Sequence, residues 1–164
     1  MTPVQIILLV LLVPITIFNL LFLTSGRKKS KEGQMRYQRI MTELSYKAID
    51  ELGSSKSLEF FPFMSDSGKG CLLCFDRKKD IEALVTYDEV FKMKISDPKS
   101  CEVIKDVENG KTLKSIYCEV ENPQTGESIV IPICEKPHRA KGYFGKFLQK
   151  DAEDFKCKVL GIEG

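Results

Sequence analysis

The chain opens with an uncharged apolar segment that determines where the rest of it can fold. From Pro3 to Thr24 the sequence reads PVQIILLVLLVPITIFNLLFLT, which is 22 residues without Asp, Glu, Lys or Arg. A helix rises about 1.5 Å per residue, so this segment spans the ~30 Å hydrocarbon core of a bilayer. Pro14 interrupts it, but membrane helices tolerate such a kink. Residues 1–25 are therefore predicted to be a transmembrane anchor.

The apolar segment lacks the features of a cleaved secretory signal. No charged side chain precedes it, it is too long, and the residues FLTSG at its end make a poor cleavage site. A lipid anchor is not predicted in place of the apolar segment, because Cys71 is the first cysteine and lies far from the N-terminus. We therefore expect the anchor to stay attached to the chain.

Basic residues directly after the apolar segment set its orientation. They are Arg27, Lys28, Lys29, Lys31, Arg36 and Arg39. Positively charged flanks stay on the cytoplasmic side, so the N-terminus is predicted to lie outside and the remaining chain in the cytoplasm. The same six side chains are the predicted contacts with the membrane surface. The chain also has no Asn-x-Ser/Thr acceptor and six scattered cysteines, which agrees with a reducing cytosol.

The charge of the chain is unevenly distributed. The net charge is +2, but residues 27–39 carry six positive charges and one negative charge, so the chain from residue 40 onward is near −3. A domain that binds nucleic acid needs a basic face of its own. Nucleic acid is therefore not expected as a partner, and the bilayer and membrane-associated proteins are.

A helix is predicted from Gly33 to Leu52. Its apolar residues recur at helical spacing, and they are Tyr37, Ile40, Met41, Leu44, Ala48 and Leu52. Gly53 is a typical helix stop. The apolar stripe either docks onto the following domain or pairs with a second copy of the chain through residues 34–52. Residues 26–56 form the predicted juxtamembrane segment.

Seven short strands and a final helix are predicted for residues 57–164. The strand segments are LEFFPFM, GCLLCFD, IEALVTY, VFKMKI, CEVIKDV, LKSIYCEV and SIVIPIC. Their spacing of 8–15 residues, with turn residues between them, is typical of an antiparallel sandwich or barrel. The helix runs from about Arg139 to Leu160, and its predicted core face comprises Tyr143, Phe144, Phe147, Leu148, Ala152, Phe155 and Val159. The predicted fold class is mainly β, of the α+β kind.

This order of elements, together with the segment CLLCFDRKKDIEALVTYDEVFKMKI, resembles a bacterial pleckstrin-homology-like domain with an N-terminal anchor. The resemblance covers about residues 57–160. It implies a seven-stranded barrel capped by the C-terminal helix, and a non-catalytic module that holds proteins or membranes together. Basic residues of the first two hairpin turns, Lys69, Arg77, Lys78 and Lys79, are the predicted contacts with lipid or a partner. The first of these turns holds only Lys69, so phosphoinositide binding is not expected.

The cysteines are the remaining candidates for chemistry. Cys71 and Cys74 fall on opposite faces of an extended strand, so they cannot bind one ion, and no helix follows them to activate a thiol. Cys134 and His138 have a spacing compatible with a metal site or a nucleophile–base pair. Joined to Cys71 and Cys74 they would make a composite zinc site, which the strand geometry disfavours. Cofactors, metals and catalytic residues are therefore not expected.

The sequence thus predicts a single-pass adaptor or scaffold of the cell membrane, which presents a cytoplasmic module for protein–protein contacts. A first alternative is a peripheral sensor of anionic lipid headgroups. A second alternative, from another class, is a small metal- or thiol-dependent enzyme or redox sensor.

Overall fold

A computed structural model of the chain describes residues 31–53 and 57–162. Within these residues α1 is helical over residues 31–52, and Gly53 ends it at a φ of 80°. The predicted anchor, and with it Arg27, Lys28 and Lys29, lies outside the described residues. Among the helices that are described, none is long and apolar enough to cross a membrane.

Within the described ranges, eight strands form two antiparallel sheets. The first sheet has the order β1 (Leu58–Met64), β2 (Gly70–Asp76), β3 (Ile81–Thr86) and β4 (Val90–Lys94). The second contains β5 (Ser100–Glu108), β6 (Thr112–Asn122) and β7 (Glu127–Cys134), and β8 (His138–Arg139) pairs with β6. The seven predicted strands are confirmed. β8 was not predicted, because two residues carry no periodic signal.

The C-terminal helix α2 covers Tyr143–Leu160 and ends at Gly161, whose φ is 66°. It begins a few residues later than predicted, because His138 and Arg139 pair with β6 instead. The fold is thus α+β and mainly β, as predicted, with two antiparallel sheets and two helices in the described part of the chain.

The main core lies between the two sheets and α2. Leu73 and Leu84 of the first sheet and Ile116 and Ile131 of the second are at most 1% exposed. Phe155 reaches into this core from α2, and its ring meets that of Phe63 edge to face at a centroid distance of 4.8 Å. Because such side chains each contribute roughly 1.5–3 kcal/mol when they leave water, α2 is an integral part of the domain.

A second core lies on the other face of the first sheet, beneath α1. Leu44, Ala48 and Leu52 are buried there, and the sheet contributes Leu72, Cys74, Ala83 and Val85. β2 and β3 are consequently buried on both faces, which explains why they read as continuous apolar runs rather than alternating ones. The predicted docking of the helix is confirmed for Ile40 onward, whereas pairing with a second copy stays a prediction.

Polar contacts surround this second core. Lys47 donates to the carbonyl oxygens of Thr86 and Tyr87 at 3.0 and 2.9 Å. Lys79 donates to the carbonyl oxygen of Leu52 at 2.6 Å and so caps the C-terminal end of α1. These bonds fix the position of the helix along the strands, in addition to the apolar contacts that hold it against the sheet.

The predicted core face of α2 was wrong in its first two turns. Tyr143, Phe144 and Phe147 are 89%, 46% and 52% exposed. Successive residues turn by about 100° around a helix, so Tyr143 and Phe147 lie well away from the buried stripe. That stripe comprises Gly145, Leu148, Ala152, Phe155 and Val159. The prediction assigned all apolar residues of α2 to one face, whereas the aromatic residues of its first two turns and the buried stripe lie on two different faces.

Gly145 of α2 packs closely against the backbone that precedes the helix. A Cβ atom there would lie 2.2 Å from the carbonyl oxygen of Arg139. We expect Gly145→Ala to lower the free energy of unfolding by about 1–3 kcal/mol, because the backbone of the preceding turn must move. Urea denaturation of the full chain in mild detergent measures this change. Gly33→Ala is the control, since nothing lies within 4 Å of that position and Ala favours a helix. Equal stability of the two variants would contradict the packing argument.

Candidate functional site

The Cys-x-x-Cys pair lies in β2 with its thiols on opposite faces, as predicted. Cys71 belongs to the core between the sheets and Cys74 to the core beneath α1. Burial raises the pKa of Cys71, and it raises the pKa of Cys74 to about 12. Thiolates are the reactive and metal-binding form of cysteine. Both thiols therefore pack in apolar cores in their protonated form.

The other sequence candidates, Cys134 and His138, do come together, and a third residue joins them. Asp66, in the turn between β1 and β2, accepts a hydrogen bond at Oδ2 from the Cys134 thiol at 3.6 Å. The same oxygen lies 2.8 Å from Nε2 of His138. The potential ligand atoms of the three residues all lie within 4.8 Å of one another. We call these residues the Asp66 cluster.

The Asp66 carboxylate is also bound by the backbone of the turn that follows β7. Its Oδ1 accepts from the amide of Glu135 at 2.8 Å, and its Oδ2 accepts from the amide of Lys136 at 3.0 Å. Lys136 Nζ donates to the carbonyl oxygen of Asp66 at 3.1 Å. Asp66 thus joins two turns that are about 70 residues apart in sequence.

A second ion pair strengthens the same junction. Glu135 accepts from Lys69 at 2.7 Å and from the hydroxyl of Ser67. These contacts lower the pKa of Glu135 and raise that of Lys69. Both residues are more exposed than Asp66, so this outer pair contributes less to stability than the buried carboxylate does.

The electrostatics of the Asp66 cluster favour a structural role. Burial alone would raise the pKa of Asp66, but hydrogen bonds from Glu135, His138 and Lys136 outweigh it and hold that pKa below its ordinary value. Burial and the charge of Asp66 raise the pKa of Cys134 to about 11. The thiol is therefore protonated at neutral pH, which disfavours nucleophilic attack by Cys134. A nucleophilic cysteine also needs its base in direct contact, whereas here Cys134 and His138 are both bound to the carboxylate of Asp66.

Sequence reasoning missed Asp66, although it identified the two residues bound to it. The local sequence Ser65-Asp66-Ser67-Gly68 is an ordinary turn signal, and Asp in a turn needs no further explanation. Its role comes from a long-range meeting of two turns, for which the local pattern carries no signal.

Glu82 is a second buried acid that the sequence did not reveal. It lies on β3 opposite Phe75 and Met93 and shares the inner face with Leu84. Its side chain is fully buried and forms an ion pair with Lys99. Burial raises the pKa of Glu82, and the pairing with Lys99 offsets this only in part. Desolvation of two buried charges offsets much of their attraction, so this pair adds little net stability.

The basic residues predicted to contact lipid or a partner are largely engaged in ion pairs. Lys69 is held by Glu135, Arg77 lies 2.9 Å from Glu59, and Lys79 lies 3.8 Å from Asp76. Lys78 is exposed in the same turn as Arg77. Pairing with acids lowers the net charge that these two turns present, and their contact with lipid or a partner stays a prediction.

The predicted membrane-surface residues that the structure describes are Lys31, Arg36 and Arg39. All three are exposed on α1. Their side chains therefore meet the first requirement for contact with a charged surface, and that contact stays a prediction.

A further surface lies on the outer face of the second sheet. Ile104, Tyr117 and Pro132 stand side by side across β5, β6 and β7, and Ile104 is 46% exposed. The neighbouring row contains Glu102, Glu119 and Val130, and Val130 is 52% exposed. We call these six residues the second-sheet outer face. It combines apolar side chains with two acids that directly oppose each other.

Comparison of this chain with protein families, curated proteins and solved structures finds no match. The resemblance to pleckstrin-homology-like domains accordingly stays a prediction that depends on the order of the elements.

Proposed function

We propose that this chain is a single-pass, membrane-anchored adaptor whose cytoplasmic domain is of the pleckstrin-homology-like kind and binds other proteins. The arrangement of strands supports this proposal: a four-stranded sheet precedes a sheet of three longer strands, and a C-terminal helix packs into the core between them. The predicted anchor at residues 1–25 would confine the domain to the bilayer. Confinement raises its effective concentration for partners on the same membrane.

The second-sheet outer face is the observation that carries the proposal. The equivalent face of the first sheet is covered by α1 from Ile40 onward. Along the second sheet, Ile104 and Val130 are about half exposed although they lie in central parts of their strands. Contiguous apolar side chains with a polar rim are typical of surfaces that bind another protein.

The acids of this face indicate the chemistry of the partner. Glu102 and Glu119 are directly opposite residues of β5 and β6. Like charges at opposed positions of a sheet destabilise it, by roughly 0.2–1 kcal/mol. Lys or Arg residues of a partner would relieve this repulsion while apolar groups cover Ile104 and Val130. We therefore propose a partner protein with a basic and apolar contact surface.

Reversing the charge of Glu119 tests the binding of a partner separately from the stability of the domain. Glu119→Lys places opposite charges across β5 and β6, so we expect the domain to be as stable as wild type or slightly more stable. The same change would repel a basic partner, and we expect its recovery to fall about tenfold or more. The measurement is quantitative mass spectrometry of proteins that co-purify with the full chain after mild detergent extraction of native membranes.

Glu89→Lys provides the matched control, because Glu89 is exposed in the turn between β3 and β4. It makes the same change in charge on the first sheet and should retain the partner. A full chain that is extracted alone and as a monomer would contradict the adaptor function. Equal recovery of the partner with both variants would show that the second-sheet outer face is not the contact.

A further inference from the structure

We propose that the first two turns of α2 form a second contact surface, which binds the anionic surface of a bilayer. The surface consists of Tyr143, Phe144, Phe147, Lys146 and Lys150 of the helix and of Lys141, which lies just before it, and we call it the aromatic–basic patch. It is distinct from the second-sheet outer face and from the basic hairpin turns. The inference depends on the proposed membrane location, because an anchored domain is held within reach of lipid headgroups.

The aromatic side chains of the patch are exposed for a structural reason. The buried stripe of α2 contains Gly145 and Leu148, so Tyr143 and Phe147 must project on the other side of the helix. Tyr143 is the most exposed large apolar residue of the described chain, at 89%. The rings of Phe144 and Phe147 stack at a centroid distance of 6.2 Å, which gives one continuous aromatic surface.

The chain segment that carries these rings is basic. From Arg139 to Lys150 it contains four basic residues and no acidic one, and the acids of α2 follow from Asp151 onward. Lys141, Lys146 and Lys150 are all exposed, and no acidic side chain occupies the first turn of α2. This local excess is unusual, because the chain from residue 40 onward is near −3. The patch is therefore complementary to a negatively charged surface.

A bilayer fits this combination better than a protein does. Aromatic rings that carry a polar group, such as the Tyr143 ring, favour the region between headgroups and acyl chains, while lysine side chains extend to the phosphates. A two-fold contact between two copies would place the lysines of both patches against each other. A contact between this patch and the acidic second-sheet outer face of another copy would be heterologous and would not close into a dimer. We therefore assign the patch to the membrane.

A single fluorophore tests the assignment directly, because the chain contains no tryptophan. The full chain with Phe147→Trp is reconstituted into vesicles of phosphatidylcholine alone, or of phosphatidylcholine with about a third phosphatidylserine. Brominated acyl chains quench tryptophan that reaches the edge of the hydrocarbon region. We expect a blue-shifted, quenched emission in the anionic vesicles and little quenching in the neutral ones. Both leaflets have the same composition, so the orientation of the inserted chain does not affect the result.

Two variants serve as controls. Val130→Trp reports on the second-sheet outer face, and its emission should be quenched in neither lipid. Adding Lys141→Glu, Lys146→Glu and Lys150→Glu to Phe147→Trp should abolish the quenching. Each basic residue changes surface attraction by roughly fivefold, so the triple change lowers contact by more than about a hundredfold. All six residues of the patch are exposed, and an unchanged circular dichroism spectrum would verify that the domain stays folded.

Three results would overturn the proposal. The first is equal emission of the two tryptophan variants in anionic vesicles, and the second is quenching that survives the triple charge reversal. The third is a blue shift in neutral vesicles that grows with the protein-to-lipid ratio, which would identify a second copy as the occupant. Extraction of the chain by alkaline carbonate would instead contradict the anchor of the proposed function, and vesicles added to the extracted chain would still report on the patch.

Discussion

Replacement of Ala48 by Arg is expected to release α1 from the first sheet. Ala48 is fully buried, and it lies on the helix one turn from Leu44 and one turn from Leu52, which are also buried against the sheet. A guanidinium at this position has no acidic partner within the apolar cluster. An unpaired buried charge costs about 3–5 kcal/mol, so we expect a loss of that size in the free energy of unfolding.

The thiol of Cys74 distinguishes local release from global unfolding. Cys74 belongs to the core beneath α1, whereas Cys118 belongs to the core between the sheets. In the Ala48→Arg variant Cys74 should react with an alkylating reagent much faster than in wild type, while Cys118 stays protected. Exposure to water should also bring the pKa of Cys74 down from about 12, which accelerates the reaction further. Mass spectrometry of the alkylated peptides locates each modified cysteine.

Tyr46→Arg is the matched control for this prediction. Tyr46 lies on the same helix but is exposed, so the change should alter the free energy of unfolding by no more than about 0.5 kcal/mol. Cys74 should then stay protected. Equal alkylation of Cys74 and Cys118 in the Ala48→Arg variant would mean that α1 and the two sheets unfold as one unit.

The sequence predicted the strands well because each is bounded by strong turn residues. The turn between β6 and β7 is an example: the amide of Gly126 donates to the carbonyl oxygen of Asn122 at 2.8 Å, and Gly126 adopts a φ of 72°. Such short-range chemistry is legible in a single sequence. The alternation of Phe91 and Met93 with exposed Lys92 was equally informative for β4.

The sequence was less informative wherever the outcome depended on what packs against a given face. The aromatic residues at the start of α2 are apolar and close in sequence to the buried stripe, yet Gly145 occupies the packed position. Hydrophobicity alone does not distinguish a ring that fills a core from a ring that stays on the surface. The candidate site shows the same limit, because Cys134 and His138 were recognised while Asp66, which binds both, was not.

The two exposed surfaces have opposite charge, because acidic and basic residues are placed on different elements of the domain. The second-sheet outer face presents Glu102 and Glu119, and the aromatic–basic patch presents Lys146 and Lys150 of α2 together with Lys141, which lies just before that helix. An anionic bilayer would attract the second surface and repel the first. For an anchored adaptor this difference would keep the protein-binding face available while the patch contacts the membrane.

Replacement of Asp66 by Ala is expected to lower the free energy of unfolding by about 3 kcal/mol. The change removes the acceptor for the amides of Glu135 and Lys136 and for the side chain of His138. Hydrogen bonds to a charged group contribute about 1.5–3 kcal/mol each, and partial access of water to the turn offsets some of the loss. Urea denaturation of the full chain in mild detergent gives the value. Asp88→Ala, in an exposed turn, should change it by no more than about 0.5 kcal/mol.

The dependence of this effect on pH identifies the carboxylate as its source. The pKa of Asp66 is lower in the folded chain than its ordinary value, so the folded state favours the ionised form. Its contribution is complete above the ordinary pKa of Asp, near 3.9, and is lost as the pH falls through the lower folded-state pKa. The difference between wild type and Asp66→Ala should therefore be largest at neutral pH and shrink below about pH 4. A chelator should leave the stability of wild type unchanged. A loss of stability on chelation that is absent from Asp66→Ala would instead identify the Asp66 cluster as a metal site.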